Sequence, residues 1–182
     1  MLNNKRIQKL RFMSDTCDLL VMLNDDHVWV GSTQTANGIG YLPNFPTQEV
    51  FTANSKFGVH GTFSITKPFR FYDQSIEDLT FFVKDGRIEQ IHSTEDIDHF
   101  KKFMSENTTR NYFGEIALVD PTNPIAQLNQ VFNCVLLDEN SVSHIAIGSS
   151  YPISSKSYLQ NIEKNLVNQS DIHYNVMIGN QD

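Results

Sequence analysis

Short apolar runs separated by turn residues set the pattern of this chain. Asp18-Leu19-Leu20-Val21-Met22-Leu23 is an apolar run opened by an acid, and it predicts a buried strand. Val28-Trp29-Val30 predicts a second strand, joined to the first through the polar turn 24–27. Residues 31–40, rich in Ser, Thr, Asn and Gly, predict a loop. Val50–Thr52 and Val59–Thr66 predict two further strands, the latter stopped by Lys67-Pro68. Leu79–Lys84 and Arg87–His92 flank Asp85-Gly86, the dipeptide of a two-residue type I′ turn, and predict a hairpin. Ile116–Val119, Ile145–Gly148 and Ile172–Ile178 complete the strand candidates. Helical spacing is rarer. Ile97, Phe100, Phe103 and Met104 make one stripe within 94–107, with Thr94 placed to cap it. Ile7, Leu10 and Arg11 suggest a short helix over 1–13, and Tyr158–Asn168 an amphipathic one. Residues 127–137 fit either period. The expected class is α+β, a mixed and largely antiparallel sheet with flanking helices near 94–107 and 158–168.

Composition supports a packed domain. The chain has 182 residues, 40% hydrophobic and 19% charged, with 13 Phe and 6 Tyr that suit a sheet-rich core. The net charge of -7 argues against a nucleic-acid partner, which needs a basic surface. The short basic segment Lys5–Arg11 is expected on a solvated helix. Cys17 and Cys134 lie far apart outside any CxxC pair, which predicts two inert thiols in a reducing compartment. No apolar stretch approaches the length of a membrane span. The last strand lies close to the end of the chain, and a helix, two strands and a loop precede the motif-bearing region. This predicts a piece of a longer protein. Residues 1–40 would be the tail of a preceding region with linking strands, and 41–182 a domain truncated at its C-terminal side.

Acids and histidines beside Gly, Pro or strand ends are where rigid scaffolds present functional groups. Glu49 follows Pro46-Thr47, with Pro43 and Pro46 biasing the approach to extended shapes. Glu115 follows Gly114 and opens a strand. Glu139 lies in Asp138-Glu139-Asn140, His144 opens the strand before Gly148, Tyr151 follows that strand, and His173 sits in an apolar strand. Carboxylates can bridge two divalent ions and imidazoles add neutral nitrogen ligands, which is how hydrolases build two-metal sites. On spacing alone the plainer readings stay open. Glu49 could be a surface acid, Glu115 a strand-edge ion-pair partner and 138–140 a polar turn. His144 and His173 could be core histidines, and Tyr151 a loop anchor. His27, His60, His92 and His99 lack companions at metal spacing and are read as structural.

The local wording adds a resemblance. Pro43 through Thr52, Gly61-Thr62 through Pro68, Lys84 through Arg87, Gly114 through Val119, Asn123-Pro124-Ile125, Asp138 through Tyr151 and Ile172 through Gly179 follow one another as similar phrases do in the aminopeptidase T and aminopeptidase S family of metallopeptidases. The resemblance implies metal ligands at Glu49, Glu115, His144 and His173, with Glu115 bridging two ions. It implies Glu139 as a ligand or general base, and Tyr151 as the phenol that stabilises the tetrahedral intermediate. It further implies two divalent ions (Zn, Co or Mn), peptide substrates with a free N-terminus, a homodimer and a cytoplasmic location. One departure stands out. The family's His-x-Asp is His173-Tyr174-Asn175 here, and a neutral Asn should weaken one ion. The rival expectation is therefore a non-catalytic remnant with a binding or dimerisation role.

Overall fold

The computed structural model describes residues 2–31, 33–34, 38–42, 44–156 and 166–179. Strands run in the order β1 (Lys9–Ser14), β2 (Cys17–Leu23), β3 (Thr33–Gln34), β4 (Gly40–Tyr41), β5 (Glu49–Thr52), β6 (Asn54–Ser64), β7 (Phe69–Phe71) and β8 (Gln74–Ile76). There follow β9 (Thr80–Lys84), β10 (Arg87–His92), helix α1 (Asp98–Ser105), β11 (Phe113–Val119), the short helix α2 (Val135–Glu139), β12 (His144–Gly148) and β13 (His173–Met177). The class is α+β, and the strand pairings among the described residues are antiparallel.

Two sheets carry the fold. The first has five strands in the order β1-β2-β6-β9-β10 and the second has four in the order β13-β12-β11-β5. Residues on either side of position 40 share the first sheet, because β2 pairs with β6. In β2, Cys17, Leu19, Val21 and Leu23 alternate inward, as a strand with one buried face requires. Phe63 of β6 joins the sheets, stacking on Phe81 at 5.1 Å and meeting Phe113 of β11 at 6.0 Å. The β7–β8 hairpin is held by α1, with Phe100 lying 5.2 Å from Phe69 and 5.0 Å from Phe71. Asp85 (φ 49°) and Gly86 (φ 76°) form the β9–β10 turn with two left-handed residues, as the type I′ reading of the sequence expects.

Several expectations change. Residues 1–13 form no long helix. Leu2–Asn4 is a single 3₁₀ turn and Lys9–Ser14 is strand β1, whose Leu10 and Phe12 alternate toward the core. The alternation of these two residues outweighs the weak helical spacing of Ile7 and Leu10, because β2 offers a pairing edge. Arg11 instead projects out to form a bidentate pair with Asp18. Val28-Trp29-Val30 contributes only the isolated bridge Val30–Phe51. Within residues 31–40, Thr33–Gln34 is strand β3, which pairs with β4. Helix α1 begins at Asp98 without a side-chain cap, since the Thr94 N–H donates to Asp78 rather than starting a helix. The expected stripe holds, with Ile97, Phe100 and Met104 buried. Residues 127–137 divide between a 3₁₀ turn at Ala126–Leu128 and α2. Of the two thiols Cys17 is buried and Cys134 exposed, both unbridged. Most of the helix expected at 158–168 lies outside the described residues.

Gly114 sits where β11 bulges between Phe113 and Glu115. A Cβ there would lie 2.5 Å from both Gly148 O and Ser150 N, backbone atoms that cannot swing aside. G114A should therefore destabilise the chain by about 3 kcal/mol, the upper range for overpacking a rigid site. Urea unfolding of the two proteins measures this. A change within error would mean that β11 and the 148–150 segment are not in contact.

Candidate metal centre

Register in the four-stranded sheet sorts its residues onto two faces. Ile116, Ile145 and Val176 lie opposite one another in a row and are buried in the core. The neighbouring rows project from the other face. Val119 pairs with Glu49, Ala117 with His144, Ala146 with both Glu115 and Asn175, and Gly148 with His173. Directly opposed residues share a face. Glu49, Glu115, His144, His173 and Asn175 therefore rise from one surface, and the small side chains of Ala117 and Ala146 leave room between them. A cavity of about 230 Å³ opens here, its wall including Tyr41, Phe51, Tyr151 and Ile153 as well as Glu49, Glu115, Glu139, His173 and Asn175.

The carboxylates and imidazoles face one another closely. His144 Nε2 stands 3.1 Å from Glu49 Oε2 and 3.9 Å from Glu115 Oε1, and His173 Nε2 stands 3.8 Å from Glu115 Oε1. Yet Glu49 Oε2, Glu115 Oε2, His144 Nε2 and Asn175 Oδ1 are buried without a hydrogen-bond partner. Two of these atoms, Glu49 Oε2 and His144 Nε2, face each other at ion-pair distance; a buried polar atom left unpaired costs on the order of 1–3 kcal/mol, so the unpaired Glu115 carboxylate oxygen marks a place open to a further partner. Both imidazoles place Nδ1 beside a backbone carbonyl. The His173 Nδ1–H donates to Ser149 O at 2.8 Å, and His144 Nδ1 faces Val142 O at 3.3 Å. His173 thereby offers its Nε2 lone pair to the cavity, a tautomer that suits a metal-binding histidine, whereas His144 Nε2 faces the Glu49 carboxylate. Oxygen and nitrogen donors of this kind suit a divalent cation. Among the described residues no three such side chains are drawn to one coordination point in this conformation. The donors stand at the spacing of paired charges.

Electrostatics follow from burial. Glu115 is pushed up to about 8, first by desolvation and then by the Glu49 and Glu139 charges, with His144 pulling the other way. Glu139 is also raised, by burial and by Glu49, against the opposing effects of His144 and Asn175. Burial alone would lower His144, but its three carboxylate neighbours, Glu49 foremost, outweigh it and the ring is raised. His173 is lowered, chiefly by burial. Tyr151 is raised by burial and by the surrounding carboxylates, and its ring lies 4.7 Å from that of His173.

Glu139 reaches the cavity from the end of α2, so the segment 138–140 is a buried helix terminus rather than a surface turn. The reason is an anchoring network that spacing does not reveal. Asn140, fully buried, accepts from Gln48 N at 2.5 Å and donates to Leu136 O at 2.8 Å. It thus ties the residue before Glu49 to the helix that carries Glu139. Asp138 accepts from Phe132 N, Cys134 N and Lys67 Nζ, and the buried Lys67 also donates to Gln130 O. His27, His60, His92 and His99 lie outside the cavity wall. They are occupied by Asn24 O, Asp85 N, Gln90 and the Phe71 ring respectively.

The whole chain, residues 1–182, matches the thermophilic metalloprotease (M29) family. Aminopeptidase AmpS of Bacillus subtilis is 36% identical over 186 residues, covering 100% of this chain and 45% of the relative. Aminopeptidase T of Thermus aquaticus is 33% identical, with 100% and 45% covered. The solved structure of wild-type AmpT from Thermus thermophilus superposes with a TM-score of 0.90 at 32% identity, over 98% of this chain and 45% of that one. A 2,5-dihydroxypyridine dioxygenase from Pseudomonas putida, at 15% identity and a TM-score of 0.65, shares the fold alone. The chain thus spans about half the length of the relatives it matches. With the match running from its first residue to its last, the chain belongs to the thermophilic metalloprotease (M29) family.

Proposed function

We propose that this chain carries the metal-binding part of an aminopeptidase that hydrolyses N-terminal residues from peptides. Membership in a metalloprotease family implies a divalent metal cofactor. The observation that carries the reading is the close grouping of two imidazoles and two carboxylates, with His144 Nε2 3.1 Å from Glu49 and Glu115 Oε1 3.9 and 3.8 Å from the His144 and His173 rings. Glu49, Glu115, His144 and His173 are the proposed ligands for two ions, with Glu115 positioned between the two imidazoles to serve both. Zn, Co and Mn all accept such donors. When bound, the metal supplies Lewis acidity and lowers the pKa of water.

The chain's own residues do the rest. Glu139, buried and more basic than an ordinary carboxylate, takes the proton from the attacking water and returns it to the leaving amine. Tyr151 is a neutral phenol at neutral pH, and burial and nearby carboxylates disfavour its phenolate further, so it can donate to the developing oxyanion. The apolar walls Phe51 and Ile153 limit water at the reacting carbonyl. All six proposed functional residues fall within 41–182, the part read as the catalytic domain. The homodimer and the cytoplasmic location rest on the family resemblance. Among the described residues no helix is long and apolar enough to cross a membrane. A second reading, a non-catalytic remnant with a binding or dimerisation role, draws on Asn175, whose amide engages Glu139 directly.

Activity separates these readings. Purified chain supplied with Zn²⁺, Co²⁺ or Mn²⁺ should release amine from an amino-acid anilide. Y151F should lower kcat by roughly 100-fold with KM little changed, the usual effect of losing one oxyanion donor. E139Q should abolish turnover. A folded, metal-loaded chain without turnover would favour the remnant.

Glu115 also makes a pH prediction. Its folded pKa lies above the unfolded value, so the metal-free folded state holds the extra proton and loses stability as pH rises from about 4.5 to about 8. Metal needs the carboxylate, so affinity should climb over the same range with proton release on binding. E115Q should raise the melting temperature of metal-free protein at pH 8 and abolish metal binding. A lower melting temperature in E115Q would show that Glu115 is structural.

A further inference from the structure

The two ends of the cavity are built differently. At one end Glu49 and Glu115 face the His144 ring, with His144 Nε2 3.1 Å from Glu49 Oε2 and 3.9 Å from Glu115 Oε1, and Glu115 Oε2 buried with no hydrogen-bond partner. Two carboxylates and an imidazole form a strong donor set for a divalent ion. At the other end stand His173 and Asn175, with Glu115 within reach of His173. Asn175 carries no charge, and only its oxygen could ligate. Its nitrogen is already committed, since Nδ2–H donates to Glu139 Oε2 at 2.5 Å. The carboxamide is planar, so holding Glu139 also fixes where Oδ1 points.

Charge explains why an amide suits this place. Glu49, Glu115 and Glu139 already crowd one cavity. A carboxylate at 175 would meet Glu139 directly, and like charges at hydrogen-bond distance repel unless a cation intervenes. Asn175 replaces that repulsion with a hydrogen bond and steadies the site when it is short of metal. The same substitution withholds a charged ligand from the ion nearest His173.

Building on the metal-centre reading above, we infer that the cavity fills in two unequal steps. A tight ion is held by Glu49, Glu115 and His144. A weak one lies on the His173 side, where Asn175 acts as a positioning residue for Glu139 and not as a ligand.

Calorimetric titration of the metal-free 182-residue chain with Zn²⁺ tests this. The chain should show two steps separated by roughly 10- to 100-fold, the scale on which one ligand-shell group alters metal affinity. N175D should close most of that gap by tightening the weaker step, and its metal-free form should melt below the parent. N175A should leave both zinc affinities within a few-fold, and H144A should remove the tight step alone. Two equal steps in the parent would overturn the inference, as would a folded N175D whose weak step is no tighter. Loss of the weak step in N175A would overturn it too, by showing Asn175 to be a ligand. If metal-free N175D melts too low for calorimetry, its melting temperature should rise more on zinc addition than the parent's does, and an equal rise would count against the inference. A folded parent that binds no zinc would sink the metal-centre reading itself, a result distinct from two equal steps.

Discussion

Three carboxylates and two imidazoles held in one small cavity are the constraint around which the rest of the chain is arranged. Taking charge out of water is costly unless it is paired or ligated, and here the pairing is incomplete. Left to relax, such side chains would turn to solvent or repel one another. They stay because the backbone beneath them has little freedom. Glu115, His144 and His173 stand on three adjacent hydrogen-bonded strands whose opposite face is sealed in the core by Ile116, Ile145 and Val176. Rotating any donor strand by one residue would bury its polar set among apolar side chains and expose the apolar ones.

The remaining groups are brought in by polar anchors. Asn140 links the backbone before Glu49 to α2, so the carboxylate on β5 and the one on the helix keep a common frame. The buried Lys67–Asp138 pair does the same for the start of α2, with Asp138 also accepting two backbone N–H groups. A buried ion pair with this many satisfied contacts contributes more to the definition of one conformation than to net stability. Definition is what a cavity needs when the side chains that line it must not drift.

Glycine contributes where backbone meets backbone. Gly114 lets β11 approach the 148–150 segment, and that segment's Ser149 carbonyl orients His173. Glu115 and the tautomer of His173 therefore depend on the same close contact. Asn175 shows the other side of this economy. A single neutral side chain between Glu139 and His173 changes the charge balance of the cavity without altering the strand that carries it.

Much of this was legible in residue order. The inward alternation of Leu19, Val21 and Leu23, the Asp85-Gly86 turn and the Ile97–Met104 stripe depend on neighbours within a turn or a strand, so local pattern suffices. The six candidate residues stood out as positions beside Gly, Pro and strand ends, and through resemblance as a set. Local pattern failed at β1, where Leu10 and Phe12 take their period from a partner strand, and at Val28–Val30, which among the described residues forms a single bridge. It failed also at 138–140, whose burial comes from Lys67 and Gln48, far away in sequence. Which face Glu115 shares with His144, which tautomer His173 adopts and what Asn175 bonds to were settled by register and by contacts between distant segments. Periodicity is written in the chain one neighbour at a time, whereas charge placement in a cavity depends on every segment that lines it.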